Sequence, residues 1–528
     1  MVPLTRILSG ALGSALAVTL AIPAAAAADA ASSAPSETRE QWRGYWVDGF
    51  NEGVYDADEV AELVTAAEEV DANALVVQVG RRFDCFCNRA LYPRTDAAID
   101  PAPYDPLAEV IEQAHAAGIE VHAWVNATTL WNSATRPESP RHAFNRHGLD
   151  ANGRDRWLNK RADGAELIGD NAFMDPANPA AVNYVVRAIG SITRHYDVDG
   201  INLDYIRYPD HSEGEFRNDW GYSETSLARF AAETGRTDRP EPTDPEFSQW
   251  RRDQVSNLVR KIYLQMYRVD RSDRLSINGI TYAYGPQTYG GWRQTRPYTN
   301  VLQDWKGWLD EGIVDTVTAM NYKREWMDDQ ARMFREWNHA LAQYRGDRHV
   351  VSGPALYLNE IEDSVQQAQQ VDSLPLDGWM GYSYAIPSKR AAESSDPDVN
   401  DAERADLASA LRDQVFTDEV TVPEMRWKSE PRRGQLSGKV RGPRRVEDQV
   451  DVRLTPIGAT PGHRQIVRTD GSGWFGVVDL APGRYRVKVV EPGTGSRTER
   501  VRVRAGKVTS VDLRVRRLLR GIGHGRTS

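Results

Sequence analysis

From Gly44 to Val415 the chain alternates between short apolar runs and longer stretches in which apolar residues recur every three to four positions. A period of two giving way to a period of 3.6 is the pattern of βα units on a parallel sheet. The first strand falls at Gly44–Phe50, and its helix at Asp58–Val70 has an N-cap in Asp56-Ala57-Asp58. Ala74–Gly80 is the second strand, and the helix Asp105–Ala117 precedes the third, Glu120–Asn126. A long polar loop from Ala127 to Asn178 then leads into the helix Pro179–His195 and a fourth strand from Val198. Helical segments near Ser223–Thr234 and Pro245–Val269 precede strand five, Leu275–Tyr282. Strand six, Val314–Tyr322, follows the helix Val301–Glu311; strand seven, His349–Tyr357, follows the helix Asp328–Tyr344. Gly378–Tyr384 is strand eight, and Asp401–Val415 closes as a helix. This order predicts an α/β fold, a (β/α)8 TIM barrel with large insertions over residues 41–420. An open doubly wound sheet would carry a Gly-rich phosphate loop after strand one, and Gly44 to Gly53 has neither G-x-G-x-x-G nor G-K-[ST].

Beyond Glu430 the texture changes to short alternating segments separated by Gly and Pro: Gln435–Val440, Val450–Pro456, Gln465–Thr469, Trp474–Leu480, Gly483–Val490 and Val501–Val503. They predict a small antiparallel β-sandwich over 430–513, with a basic tail at 514–528. The run Thr469 to Phe475, followed by Leu480-Ala481-Pro482-Gly483-Arg484-Tyr485, resembles the carboxypeptidase-regulatory-like modules. At the other end, Arg6, the apolar stretch Ile7–Ile22 and Ala26-Ala27-Ala28 read as a signal peptide over 1–28, with a spacer at 29–40. A secreted or cell-wall-associated protein with no transmembrane segment in its mature chain is expected.

The fourth strand carries chemistry that folding does not require. In Val198 to Pro209, alternation puts Ile201, Leu203 and Tyr205 on one face and Asn202 and Asp204 on the other. An amide and a carboxylate turned inward cost free energy unless they are bonded or used. Pro209 stops the strand, so Asp204 sits near its C-terminal end, where barrel enzymes place working groups. Asp197 and Asp199, before Gly200, read as turn residues. Other strand ends supply Arg82 and Asp84, His122, Trp124 and Asn126, Arg207 and Tyr208, Asn321, Tyr322, Lys323 and Glu325, Tyr357, and Tyr382. Glycosidic cleavage uses two carboxyl groups, one protonating the leaving oxygen and one attacking or activating water. Asp204 is the first, and Glu325 and Asp84 compete for the second place. Arg207 is expected to hold one carboxylate ionised.

Composition sharpens this only in places. Fifteen Trp suits a protein that offers platforms to sugar rings. The chain has a net charge of −10, yet residues 426–528 hold 24 Lys plus Arg against 9 Asp plus Glu, a charge of +15. A basic module on an acidic body suggests an anionic partner, and in an exported protein an anionic wall polymer fits better than nucleic acid. Cys85 and Cys87, two apart in an extended segment, read as two free or weakly coupled thiols. No H-E-x-x-H or comparable ligand set occurs, so no metal or other cofactor is expected.

Gln41 to Val47, Val77-Gln78-Val79 with Arg82-Phe83-Asp84, Val121 to Asn126, Asp199 to Pro209 and Met320 to Lys323 together resemble the bacterial glycosyl hydrolase-like family 10. The resemblance spans about residues 40–415. It implies a (β/α)8 barrel and an exported glycoside hydrolase acting on peptidoglycan glycan strands. Asp204 then corresponds to the family's strand-four Asp. Arg82 and Asp84 correspond to a basic-Gly-Asp turn in which this chain has Phe83 for Gly. Arg82, Trp124, Asn126, Asn202, Arg207, Tyr208, Asn321, Tyr322, Lys323 and Tyr382 become the expected substrate-binding set. Chitinase-type barrels end the same strand motif in an acidic Glu, where Ile206 stands here, so the proton donor must be found elsewhere. The competing expectation is a catalytically inactive glycan-binding barrel that the sandwich attaches to the wall.

Overall fold

The computed structural model describes residues 38–210, 218–442, 448–490, 494–496 and 498–517. The expected signal peptide and most of the expected spacer lie outside these residues. Eight parallel strands close into a barrel in chain order: β1 (Trp42–Val47), β2 (Ala74–Gly80), β3 (Glu120–Asn126), β4 (Gly200–Asp204), β5 (Arg274–Ile280), β6 (Thr316–Met320), β7 (His349–Gly353) and β8 (Gly378–Tyr382). Helices α1 (Ala57–Glu69), α2 (Pro106–Ala116), α3 (Pro179–His195), α4 (Glu224–Thr234), α5 (Pro245–Val269), α6 (Trp305–Glu311), α7 (Asp328–Tyr344), α8 (Ile361–Asp372) and α9 (Pro397–Gln414) accompany them. Most begin as the sequence signals require, with Asp56, Asp105, Asn178, Ser223 and Asp244 each accepting a first-turn N–H.

Alternation along the strands divides the apolar residues into two cores. Outward residues such as Ile201, Leu203, Leu275 and Val317 pack under the helices. Inward residues fill the barrel with Trp42, Trp46, Trp124, Val76, Val351 and Met380. The Trp46 ring needs Gly353, because a Cβ there would lie 2.3 Å from it. The interior is therefore packed, and an open site can exist only above it, at the C-terminal ends of the strands.

The chain leaves the barrel across its floor. Arg274 donates to the Pro423 carbonyl, and Lys428 Nζ lies 2.6 Å from Asp315 in a fully buried ion pair. Asp315 also accepts from Trp427 Nε1 and from the Leu275 N–H. The sandwich follows as β9 (Gly434–Arg441), β10 (Asp451–Ile457), β11 (Gln465–Arg468), β12 (Trp474–Leu480), β13 (Gly483–Val489), β14 (Glu499–Val503) and β15 (Val508–Arg517). One sheet holds β12, β9, β15 and the short strand Thr494–Ser496; the other runs β11-β10-β13-β14. β9 and β15 pair in parallel, so the sandwich is not wholly antiparallel as expected. Arg514–Arg517, read from sequence as the start of the tail, extend β15; residues 518–528 lie outside the described set.

Barrel and sandwich belong to one compact unit. Lys261 on α5 reaches Asp470 at 2.8 Å, Arg229 on α4 binds Asp448, and Arg348 before β7 binds Asp479. Arg268 on α5 donates to Ser437 and Ser510.

Candidate active site at the barrel mouth

Asp204 is the last residue of β4 and retains 6% of its surface. The next residue, Tyr205, has φ 47°, a left-handed backbone that costs a non-glycine residue energy. This turn brings the Tyr205 N–H to Asp204 Oδ1 at 2.6 Å. Burial pushes the Asp204 carboxyl above the ordinary carboxylate range, although the Tyr205 N–H, the Arg207 charge and the Asn278 amide all favour ionisation. Asp204 is thus not the carboxylate that Arg207 is expected to hold ionised, because desolvation outweighs the Arg207 charge there. Arg207 instead pairs with Asp210 at 3.3 Å and covers the Tyr205 ring. Burial works against the Asp210 charge too, but Arg207 and the Tyr282 hydroxyl hold that carboxyl below its ordinary range.

β8 stands opposite β4 in the eight-membered ring, and its last residue is Tyr382. Tyr322, past the end of β6, stacks on Tyr382 with centroids 5.2 Å apart. Trp46, Trp124 and Tyr357 surround this pair at 6.0–6.4 Å from Tyr382. Asp204 acts electrostatically on both tyrosines, and so does a second carboxylate, Asp48. Asp48 follows β1, is buried, and accepts from the Phe50 N–H and from the Asn51 amide at 2.9 and 3.0 Å. The rim between β1 and β3 is tied by amides: Gln78 accepts from the Gly49 N–H, and Asn126 accepts from Trp124 Nε1 and donates to the Arg81 carbonyl.

The mouth therefore gathers Asp204, Trp124, Asn126, Tyr322 and Tyr382 from the expected set, and adds Asp48, Gln78, Tyr205, Asn278 and Tyr357. Lys323 lies beside it: burial lowers its ammonium to a pKa of about 7, and it donates to the Thr281 carbonyl. Other expected residues go elsewhere. Glu325 points into the helical layer, where Gln366 and Gln367 of α8 and Arg335 of α7 bind its carboxylate. Asn321 likewise donates to Phe334 and Asn338 on α7. Tyr208 is buried on the helix side near Arg251 of α5. Asn202 sits two residues below Asp204 inside the barrel, fully buried and bonded to Ser276.

Asp84 is a knot for its own loop, accepting from the Arg82 N–H and the Thr95 hydroxyl and lying within 3.9 Å of Arg81 and Arg82 nitrogens. Arg82 covers the Trp131 ring at 4.1 Å and donates to Asn132. Phe83 has φ 63°, a left-handed conformation that glycine adopts more readily than a residue with a side chain. Its buried ring lies against Tyr92 and Tyr184. Nearby, Cys85 and Cys87 form a disulfide with Cα atoms 5.0 Å apart. The reading of two thiols assumed an extended segment; the chain is bent there, which brings the two Cα atoms within disulfide reach. Asp199 is structural as expected, bonded to His115 and the Val121 N–H.

This constellation can do acid chemistry: a carboxyl raised by burial, a second carboxyl and aromatic faces come together at the strand ends. A profile of the family described as Glycosyl hydrolase-like 10 matches residues 41–369. A Carboxypeptidase regulatory-like domain matches residues 435–516. The chain is 24% identical over 283 residues to "Glycosyl hydrolase YngK" of Bacillus subtilis, covering 50% of this chain and 48% of that protein. It is 24% identical over 241 residues to "Glycosyl hydrolase DigH" of Escherichia coli K12, covering 42% and 46%. The chain thus spans about half the length of the curated relatives it matches. Among solved structures, the catalytic domain of β-amylase from Paenibacillus polymyxa shares the fold, with TM-score 0.50 and 10% identity over 72% of this chain and 99% of that one. Among the described residues no helix is long and apolar enough to cross a membrane.

Proposed function

The chain belongs to the glycosyl hydrolase-like 10 family, and on that premise we propose that it is a glycoside hydrolase of cell-wall polysaccharide, with peptidoglycan glycan strands as substrate. One observation carries the proposal: a carboxyl raised by burial, Asp204, opens onto an aromatic-lined mouth shared with a second carboxyl, Asp48. A carboxyl whose pKa is raised holds its proton to higher pH, and can give it to the leaving glycosidic oxygen. Asp48, held by two donors from its own turn, is the partner that attacks or activates water. Tyr322 and Tyr382, partly exposed above the packed Trp124, present rings against which the apolar faces of pyranoses pack. Work outside the cytoplasm is proposed from the N-terminal sequence, and a disulfide suits an oxidising compartment.

Asp204→Asn tests this. The parent, incubated with purified sacculi, denuded glycan strands and chitin, is expected to release sized fragments from the glycan strands. The variant is expected to bind the same polymer and to release fragments at least about a hundredfold more slowly. A parent that binds without cutting overturns the enzymatic reading in favour of a glycan-binding barrel.

A further inference from the structure

Outward from the barrel, the layers are α5, the sheet containing β12, β9 and β15, the apolar core of the sandwich, and then the sheet β11-β10-β13-β14. The outer face of this last sheet meets solvent. Along β13, Tyr485, Val487 and Val489 turn inward, and Arg484, Arg486 and Lys488 turn out. On β14, Arg500 and Arg502 turn out, and on β10 Arg453 does. The register sets Arg484 opposite Arg502, Arg486 opposite Arg500, and Arg453 opposite Lys488. Like charges directly opposed across a sheet destabilise it, and here three such pairs occur side by side. None of the six makes an ion pair with a described residue. The acids of these strands give no relief: Asp451 is at a corner, bound to Arg468, and Glu499 alternates to the inner side.

We propose that this face binds a linear phosphodiester polymer of the polyol-phosphate kind, a second site distinct from the barrel mouth and independent of whether the barrel cleaves glycan. Five of the six cations are Arg, whose planar fork pairs bidentately with phosphate oxygens. The strand and residue spacings give the grid a size of about 10 by 13 Å. A spread of that size suits a repeating chain of charges and not one small anion. Its outward partners Thr455 and Ile466 offer no aromatic ring on which a base could stack.

The test uses the full chain and poly(glycerol phosphate) immobilised on a surface, titrated at several NaCl concentrations. The parent is expected to bind with an affinity that falls steeply with salt, as counterions are released. The variant R484Q/R486Q/R500Q/R502Q is expected to bind at least tenfold more weakly and with a shallower salt slope. Its melting temperature should equal or exceed the parent's, since two repulsive pairs are gone, and its action on short soluble glycans should be unchanged. Replacing the same four by Lys keeps the charge and should still weaken binding, through loss of the fork. Absence of parent binding overturns the proposal, as does full affinity in the Gln variant or equal affinity for duplex DNA or anionic lipid vesicles.

Discussion

The raised acid at the end of β4 makes a prediction about pH. A carboxyl whose folded pKa lies above its unfolded value favours folding below the unfolded value, and that contribution is lost as pH rises through the folded one. Asp204→Asn should therefore melt higher than the parent at pH 8, with the gap closing towards pH 4. If Asp204 donates the proton, parent activity falls as pH rises through its folded pKa, and the substitution costs about 10²–10⁴-fold in kcat. Asp273 tests the same sign away from the site. Burial first, then Asp270, raises it to about 7. Asp273→Asn should stabilise the protein by about 1–3 kcal/mol at pH 8 and little at pH 4, read by denaturant titration. At this scale, Asp204 was legible because strict alternation makes an inward acid stand out. Tyr208 misled because the left-handed Tyr205 breaks the alternation three residues earlier. Glu325 lies five residues past its strand, where no periodicity fixes direction. Asp48 left a trace in sequence, an acid directly after the first apolar run, but the strand was read through it to Phe50.

At the scale of elements, the barrel strands and their order followed from periodicity, since each strand is apolar on the side facing helices and mixed on the side facing inward. The floor did not. The segment after the last helix is polar and short, and the buried Lys428–Asp315 pair, with the bonds from Arg274 to Pro423 and from Trp427 to Asp315, reveals that it closes the barrel from below. Asp315→Ala leaves Lys428 buried without its carboxylate and should cost about 3–5 kcal/mol, measured by denaturant unfolding. The Cys85–Cys87 bridge closes so short a loop that it restrains the unfolded chain little. Replacing both by Ser should shift the melting temperature by only about 1–3 °C.

For the whole molecule, composition separated an acidic body from a basic module, and spacing separated barrel from sandwich. Neither showed that the two are joined by buried charge. Lys261, Asp470 and Ser472 form such a joint, and Arg229 with Asp448 forms another. Calorimetry should therefore show one unfolding transition. Asp470→Ala, which strands Lys261, should lower it by about 3–5 kcal/mol or split it into two.

That joint has a mechanical consequence. With no slack between the two parts, a molecule held by its sandwich cannot swing its barrel, and it reaches only what lies at one fixed stand-off from the point of attachment. Its cuts would fall in a narrow ring around each anchorage. A version with a flexible spacer spliced in after Glu430, and the joint removed, would clear a disc instead.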